Sequence, residues 1–103
     1  LRGTLDLTAF TKLDNLGCNN NMLENLLLPP SVSTLICSTN NLSDLDITSC
    51  PELMKSGDED SFRVGKQRKN KVLTLHLTSQ QNRYWLRTYS ETDENTNVTT
   101  DIK

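Results

Sequence analysis

The sequence predicts a solenoid of short stacked coils, because two stretches of the chain copy one another at fixed offsets. The segment 5–13 (LDLTAFTKL) reappears 40 residues later as segment 45–53 (LDITSCPEL). A second echo relates segment 16–23 to segment 35–42 at an offset of 19 residues. A period near 20 is typical of solenoids, in which each coil buries its apolar face against the next coil.

The two complete coils share apolar residues and one asparagine at matching positions. Coil one has Leu13, Leu16, Cys18, Asn21, Leu23, Leu26 and Leu28, and coil two has Val32, Leu35, Cys37, Asn40, Leu42, Leu45 and Ile47. Alternation of apolar and polar residues predicts short strands that pair in parallel about 4.8 Å apart. Each asparagine follows a strand, where its amide can bond backbone groups of neighbouring coils. The coils are too short for a full helix, so we expect extended or 3₁₀ convex segments.

This frame resembles the leucine-rich repeat family over about residues 5–53, in a short-coil form like that of bacterial or simple-eukaryote members. Segment 28–35 (LPPSVSTL) is similar to the Leu-Pro-x repeats of bacterial type III secreted effectors. The resemblance implies a leucine-rich repeat solenoid of short parallel β-strands with few or no α-helices. It also implies that the chain is the terminal part of a longer array that binds a protein ligand on its concave face.

The predicted concave face consists of small polar side chains that point away from the leucine core. Its residues are Asp14, Asn15, Gly17, Asn19, Asn20, Ser33, Thr34, Ile36, Ser38 and Thr39. Ile36 is the one apolar anchor among them. Such a face offers hydrogen bonds and shape, but few of the tyrosine, tryptophan or arginine residues that dominate binding energies. Two coils also provide a small area, so we do not expect tight binding by this segment alone.

The repeat pattern ends after Leu53, because Ser56 and Asp58 stand where a leucine and a cysteine are expected. The sequence therefore predicts coils over residues 1–56 and a charged exit loop or linker over residues 57–71. Residues 72–103 are predicted to form a β-hairpin-like cap, or the start of a second β domain, with a frayed tail.

The hairpin prediction rests on two alternating segments separated by a polar turn. Leucines alternate with polar residues over 73–77, a turn is predicted at 79–82, and a return strand at 84–89. An alternative interpretation treats this region as a degenerate further repeat, built on Val72, Leu75 and Leu77, with Gln80 in place of the asparagine.

The residues that commonly carry catalysis or bind metals occur here without the partners they need. Three cysteines have no zinc or redox spacing, so buried thiols are favoured over a Cys18–Cys37 disulfide. His76 has no metal ligand or nucleophile near it in sequence, and the acidic run 58–60 lacks the order of a calcium loop. The sequence thus predicts no enzyme, no cofactor and no metal site. The alternative is a substrate-recognition region of a secreted bacterial effector whose catalytic domain is absent from this chain.

Charge and hydropathy restrict the partners further. The net charge of −2 argues against a dedicated nucleic-acid binder, and the longest apolar run, Leu26–Leu28, is too short to span a membrane. The basic run 63–71 is interpreted as a solvated linker rather than an anion-binding segment. The aromatic and basic residues of 83–87 are interpreted as an anchor to the core rather than a partner contact. A secreted, cell-surface or host-delivered location is favoured over a cytoplasmic one.

Overall fold

The chain forms eight short strands, and every strand pairing is parallel, over the residues described by the computed structural model (2–90, 95 and 97–103). The strands are β1 (Arg2–Asp6), β2 (Asn15–Gly17), β3 (Met22–Leu27), β4 (Thr34–Ile36), β5 (Asp44–Asp46), β6 (Phe62–Arg63), β7 (Leu73–Leu77) and β8 (Val98–Ile102). One α-helix, α1 (Ser79–Tyr84), continues into a π-helical turn (Trp85–Tyr89), and 3₁₀ turns cover Glu59–Ser61 and Arg68–Asn70.

The strands belong to three separate sheets with the orders β1–β3, β2–β4–β6 and β5–β7–β8. Asn15 pairs with Thr34 in the second sheet, which is the 19-residue offset of the sequence echo. In the third sheet His76 lies between Asp46 of β5 and Asp101 of β8. All three sheets turn one face towards a single leucine-based core.

The prediction of a leucine-rich repeat solenoid is wrong. In a solenoid each coil adds one strand to a continuous sheet, whereas here each sheet stops at two or three strands. The two copies of the 40-residue echo lie in different sheets, because β3 and β5 do not pair with one another and two prolines follow soon after β3, at Pro29 and Pro30. The result is a small globule of 31 × 31 × 24 Å with a radius of gyration of 12.2 Å.

The predicted C-terminal hairpin is also wrong. Strand β7 pairs in parallel with β5 and β8, and the segment predicted as turn and return strand is helical. A capping box explains the helix: Gln81 N donates to Thr78 Oγ1 at 3.1 Å, and Thr78 N donates to Gln81 Oε1 at 2.8 Å. Trp85 and Tyr89 are then one helical turn apart and both are buried.

An aromatic cluster joins this helical segment to strand β6. The ring of Phe62 makes edge-to-face contacts with Trp85 and Tyr89, at centroid distances of 6.0 and 5.7 Å. The Tyr89 hydroxyl lies 2.9 Å from Ser61 Oγ and donates to the Asp58 carbonyl at 3.1 Å. The anchoring role predicted for the aromatic segment therefore applies to Trp85, whereas Leu86 is exposed. No helix in the described ranges is long and apolar enough to cross a membrane.

Candidate binding surface

The outer face of the β2–β4–β6 sheet carries the centre of the predicted binding face. Leu16, Leu35 and Phe62 are paired in neighbouring strands and point into the core. Because successive side chains in a strand point to opposite sides, the residues between them line the outer face. We call this the β2–β4–β6 face; it consists of Asn15 and Gly17 on β2, Thr34 and Ile36 on β4, and Arg63 on β6.

The other predicted residues surround this face. Asp14 precedes β2, and its carbonyl accepts bonds from the N–H groups of Ser33 and Thr34 at 2.8 and 3.0 Å. Exposure differs among the ten residues: Ser38 is buried and therefore withdrawn from the face, whereas Asn19 and Asn20 are exposed. Thr39 is half-buried at the corner where β4 ends.

That corner repeats in three successive strands. Asn20, Thr39 and Lys66 all have left-handed backbones, with φ of 61°, 57° and 47°. Asn20 N donates to the Ser38 carbonyl at 3.1 Å, and Thr39 N donates to the Lys66 carbonyl at 3.0 Å. Asparagine tolerates this conformation, whereas a β-branched threonine does so only under strain. The chain thus turns sharply inward at the same height in each strand.

Buried amides beneath the face fix the spacing of its strands. Asn40 Nδ2 donates to the carbonyls of Cys18 and Cys37, both at 3.0 Å, and Asn40 Oδ1 accepts from Leu23 N at 3.0 Å. The sequence-based expectation of an amide that bridges neighbouring strands is confirmed for Asn40. Fully paired buried amides hold a backbone in one arrangement, since any movement leaves polar groups without partners.

Sequence reasoning missed the third member of this arrangement. Gln67 is 2 % exposed, donates to the carbonyls of Val64 (2.6 Å) and Cys37 (3.3 Å), and accepts from Leu42 N at 3.0 Å. A detectable signal existed: Gln67 follows Val64 by three residues, as Asn40 follows Cys37. The insertion before Phe62 and the change from asparagine to glutamine concealed it.

The basic run is tied to the backbone rather than forming a separate solvated linker. Arg68 Nε donates to the Asn21 carbonyl at 2.9 Å, and Lys71 Nζ donates to the Asn41 carbonyl at 3.0 Å. Arg63 forms an ion pair with Asp60. Because Arg63 is neutralised locally, the β2–β4–β6 face carries little net charge.

The three thiols are free and buried, and each has an elevated pKa. Burial raises the pKa of Cys18 to about 11 and that of Cys37 well above 9.0, and it also raises the pKa of Cys50. A thiol is nucleophilic as the thiolate, so burial that disfavours the thiolate makes these side chains unreactive.

The outer surface of the β5–β7–β8 sheet has a different character, because it is charged. His76 Nε2 lies 2.9 Å from Asp44 Oδ1, and His76 Nδ1 lies 2.9 Å from Asp101 Oδ2. The hydrogen bond with Asp44 is the largest cause that raises the pKa of His76, and Asp101 adds to it. Both ring nitrogens face carboxylates, so neither faces a nucleophile.

A cleft of about 410 Å³ opens beside this charged group, between β3 and β5. Leu27 and Asn25 line it from one side, and Asp44, Asp46 and His76 from the other. No group of three or more histidine, cysteine, aspartate or glutamate side chains in the described part of the chain is arranged to hold a metal ion.

No protein-family model matches the chain, and no curated protein or solved structure shows significant similarity to it. The resemblance to leucine-rich repeats therefore remains a prediction from the sequence pattern. Any function must be argued from the geometry of the molecule itself.

Proposed function

We propose that this chain is a non-catalytic module that recognises an extended polypeptide segment on its β2–β4–β6 face. The observation that carries the proposal is a flat, nearly uncharged strip of short side chains beside the free edge of β2. Strand β2 has a strand neighbour, β4, on one side only. An extended peptide can add to such an edge through main-chain hydrogen bonds, with neighbouring side chains providing selectivity.

The residues beside this edge favour close approach of a partner. Gly17 lies at its centre, and a Cβ atom at this position would meet no heavy atom within 4 Å. A partner backbone can therefore approach the β2 strand without displacing a side chain. Ile36, half-buried on the neighbouring strand, offers an apolar contact one strand away from the edge.

The amides beneath the face support the proposal from the inside. Rigid strands lose little conformational entropy when a partner binds, so less of the interaction free energy is consumed in ordering them. The area is small, and we expect dissociation constants at the weak end of the range for specific contacts. The absence of a catalytic role follows the same chemistry, because the thiols are buried and His76 is occupied by two carboxylates.

The experiment selects random peptides displayed on phage against the immobilised chain. Selected peptides are then synthesised, and their affinities are measured by fluorescence anisotropy. Gly17→Gln places a larger side chain over the β2 edge, and its backbone does not have a positive φ, so the variant is expected to fold. We expect at least a tenfold loss of affinity, because a blocked main-chain contact of about 1.4 kcal/mol corresponds to that factor.

The matched control is Leu27→Gln, on the outer surface of β3, where the leucine is 46 % exposed. This variant is expected to bind the selected peptides as the wild type does. Peptides that bind Gly17→Gln with undiminished affinity, or a selection with no enrichment over bare support, would refute the proposal.

A further inference from the structure

The charged group on the β5–β7–β8 sheet connects all three of its strands. His76 of β7 contacts Asp44 of β5 through one ring nitrogen and Asp101 of β8 through the other, each at 2.9 Å. These contacts run across the sheet, perpendicular to the strands. A single side chain therefore ties the outermost strand to the strand two positions away.

Strand β8 is the member of the sheet that depends most on such a tie. It has a strand neighbour on one side only, β7, and its residues from Thr99 to Ile102 are exposed. By contrast, Leu45 of β5 and Leu75 of β7 are fully buried in the core. Segments with few buried apolar contacts open at a low free-energy cost, so side-chain contacts contribute a large share of the stability of β8.

The imidazole can satisfy both carboxylates only when it is protonated. An imidazolium donates two N–H bonds, whereas a neutral ring donates one and presents a lone pair at the other nitrogen. After deprotonation one carboxylate therefore faces an acceptor instead of a donor. Because β5 is held by its buried leucine and β8 is not, the loss is expected to appear at β8.

We propose that His76 is a proton-controlled clamp that fastens the C-terminal strand β8 to its sheet. At low pH the clamp is closed, and β8 is held by two charge-assisted contacts as well as by its backbone ladder. As the pH rises through the titration of His76, the clamp opens and β8 detaches more often. The clamp operates above the titration range of its two aspartates, since their protonation would also break it.

The other charged groups around His76 determine how strongly it responds. Asp46 is adjacent on β5, but its carboxylate accepts from Thr48 N and Thr48 Oγ1 at 2.9 and 2.6 Å and is not bonded to the ring. Lys103, after β8, lies 4.0 Å from Asp101 and opposes the positive charge on His76. The residues facing His76 from β3 across the cleft, Asn25 and Leu27, are uncharged.

The test is nuclear magnetic resonance on the ¹⁵N-labelled full chain, in which His76 is the only histidine. The ring nitrogen shifts give its titration midpoint. Amide exchange, corrected for its intrinsic pH dependence, gives the opening of β8 at Asp101 and at Lys103, whose N–H donates to the Leu77 carbonyl. From about pH 5.5 to about pH 8.5 we expect opening to increase roughly threefold to tenfold, with the midpoint of the histidine.

Two variants and an internal reference make the result decisive. His76→Gln should abolish the pH step, and Asp101→Asn should lower the His76 midpoint and increase opening at low pH. The Cys37 amide, in the β2–β4–β6 sheet, should show no step. The proposal is overturned if β8 shows no step at the histidine midpoint, if the step persists in His76→Gln, or if Cys37 shows the same step. Should His76→Gln fail to fold, the coincidence of midpoints in the wild type and the Asp101→Asn shift still decide.

Discussion

The two halves of the chain produce the same parallel pairing with connections of different length. In residues 2–50 the paired strands are offset by 19 to 21 residues, as in Asn15 with Thr34 and Leu5 with Leu26. In the second half the offsets are 27 for Ile36 with Arg63 and 30 for Asp44 with Thr74. Parallel pairing requires only that a strand return to the edge of its neighbour, so the connection can lengthen freely.

The longer connections of the second half provide core that the first half lacks. Leu53 and Met54 lie in one of them, and Trp85 and Tyr89 in another, and all four are buried. In the first half Leu5 and Leu13 are only partly buried. The difference teaches that regular spacing sets the register of strands, while irregular segments supply much of the packing.

The largest effect is expected from the aromatic cluster. Phe62→Ala should lower the free energy of unfolding by about 3–5 kcal/mol, because it removes a fully buried ring and leaves a cavity against Trp85 and Tyr89. Leu13→Ala, in the thinner half, should cost about 1 kcal/mol, since that side chain is partly exposed already. Urea denaturation measures both, and equal losses would show that the two halves do not differ in packing.

The buried amides test whether the halves share one support. Asn40→Ala leaves the Leu23 N–H and the Cys18 and Cys37 carbonyls without their side-chain partner, and should cost about 3 kcal/mol. Gln67→Ala should cost a similar amount despite its irregular sequence context. The comparison uses the same denaturation experiment. A much smaller loss for Gln67→Ala would mean that the second half does not rely on its amide.

Backbone strain gives a stabilising substitution. Thr39 adopts φ of 57° at the position where the preceding strand has Asn20. Thr39→Asn should raise the free energy of unfolding by about 1 kcal/mol, because asparagine occupies the left-handed region more readily than a β-branched residue. Thermal denaturation measures the gain. Asn20→Thr is the reverse control and should destabilise; a Thr39→Asn variant with an unchanged midpoint would contradict the strain.

The smallest effect concerns a turn that is repeated in both halves. Asp46 accepts from Thr48 as Asp6 accepts from Thr8, through the N–H and the hydroxyl. Partial burial acts to raise the pKa of Asp46, but the two bonds from Thr48 outweigh it and the pKa is lowered. The Thr8 hydroxyl, and then its N–H, lower the pKa of exposed Asp6.

These lowered values fix the sign of the pH dependence. A carboxyl whose pKa is depressed in the folded state stabilises the fold above its unfolded pKa and loses that contribution as the pH falls through the folded value. Thr48→Ala and Thr8→Ala should each bring the neighbouring aspartate back towards 3.8. Carbon-detected carboxyl titrations measure both shifts, and an unchanged Asp46 in Thr48→Ala would contradict this role of the turn.

Local features were predictable wherever a short segment contains its own cause. The alternation around Leu16 and Leu35 places both leucines in the core, and the position of Asn40 after its strand indicates a bridging amide. The capping box at Thr78 is equally local, although an interpretation based on alternation overlooked it. The separation of β3 from β5 was not predictable, because it depends on how the whole core closes.

The sequence by itself determined the register of the first strands, the inward leucines and the small, neutral side chains of the β2–β4–β6 face, because these depend on periodicity and residue type. Only the tertiary structure decided that the strands divide into three sheets and that Gln67 continues the amides of the first half. It also brought His76 between Asp44 and Asp101, which lie 32 and 25 residues away along the chain. Such contacts depend on where long connections return, and periodicity carries no information about that.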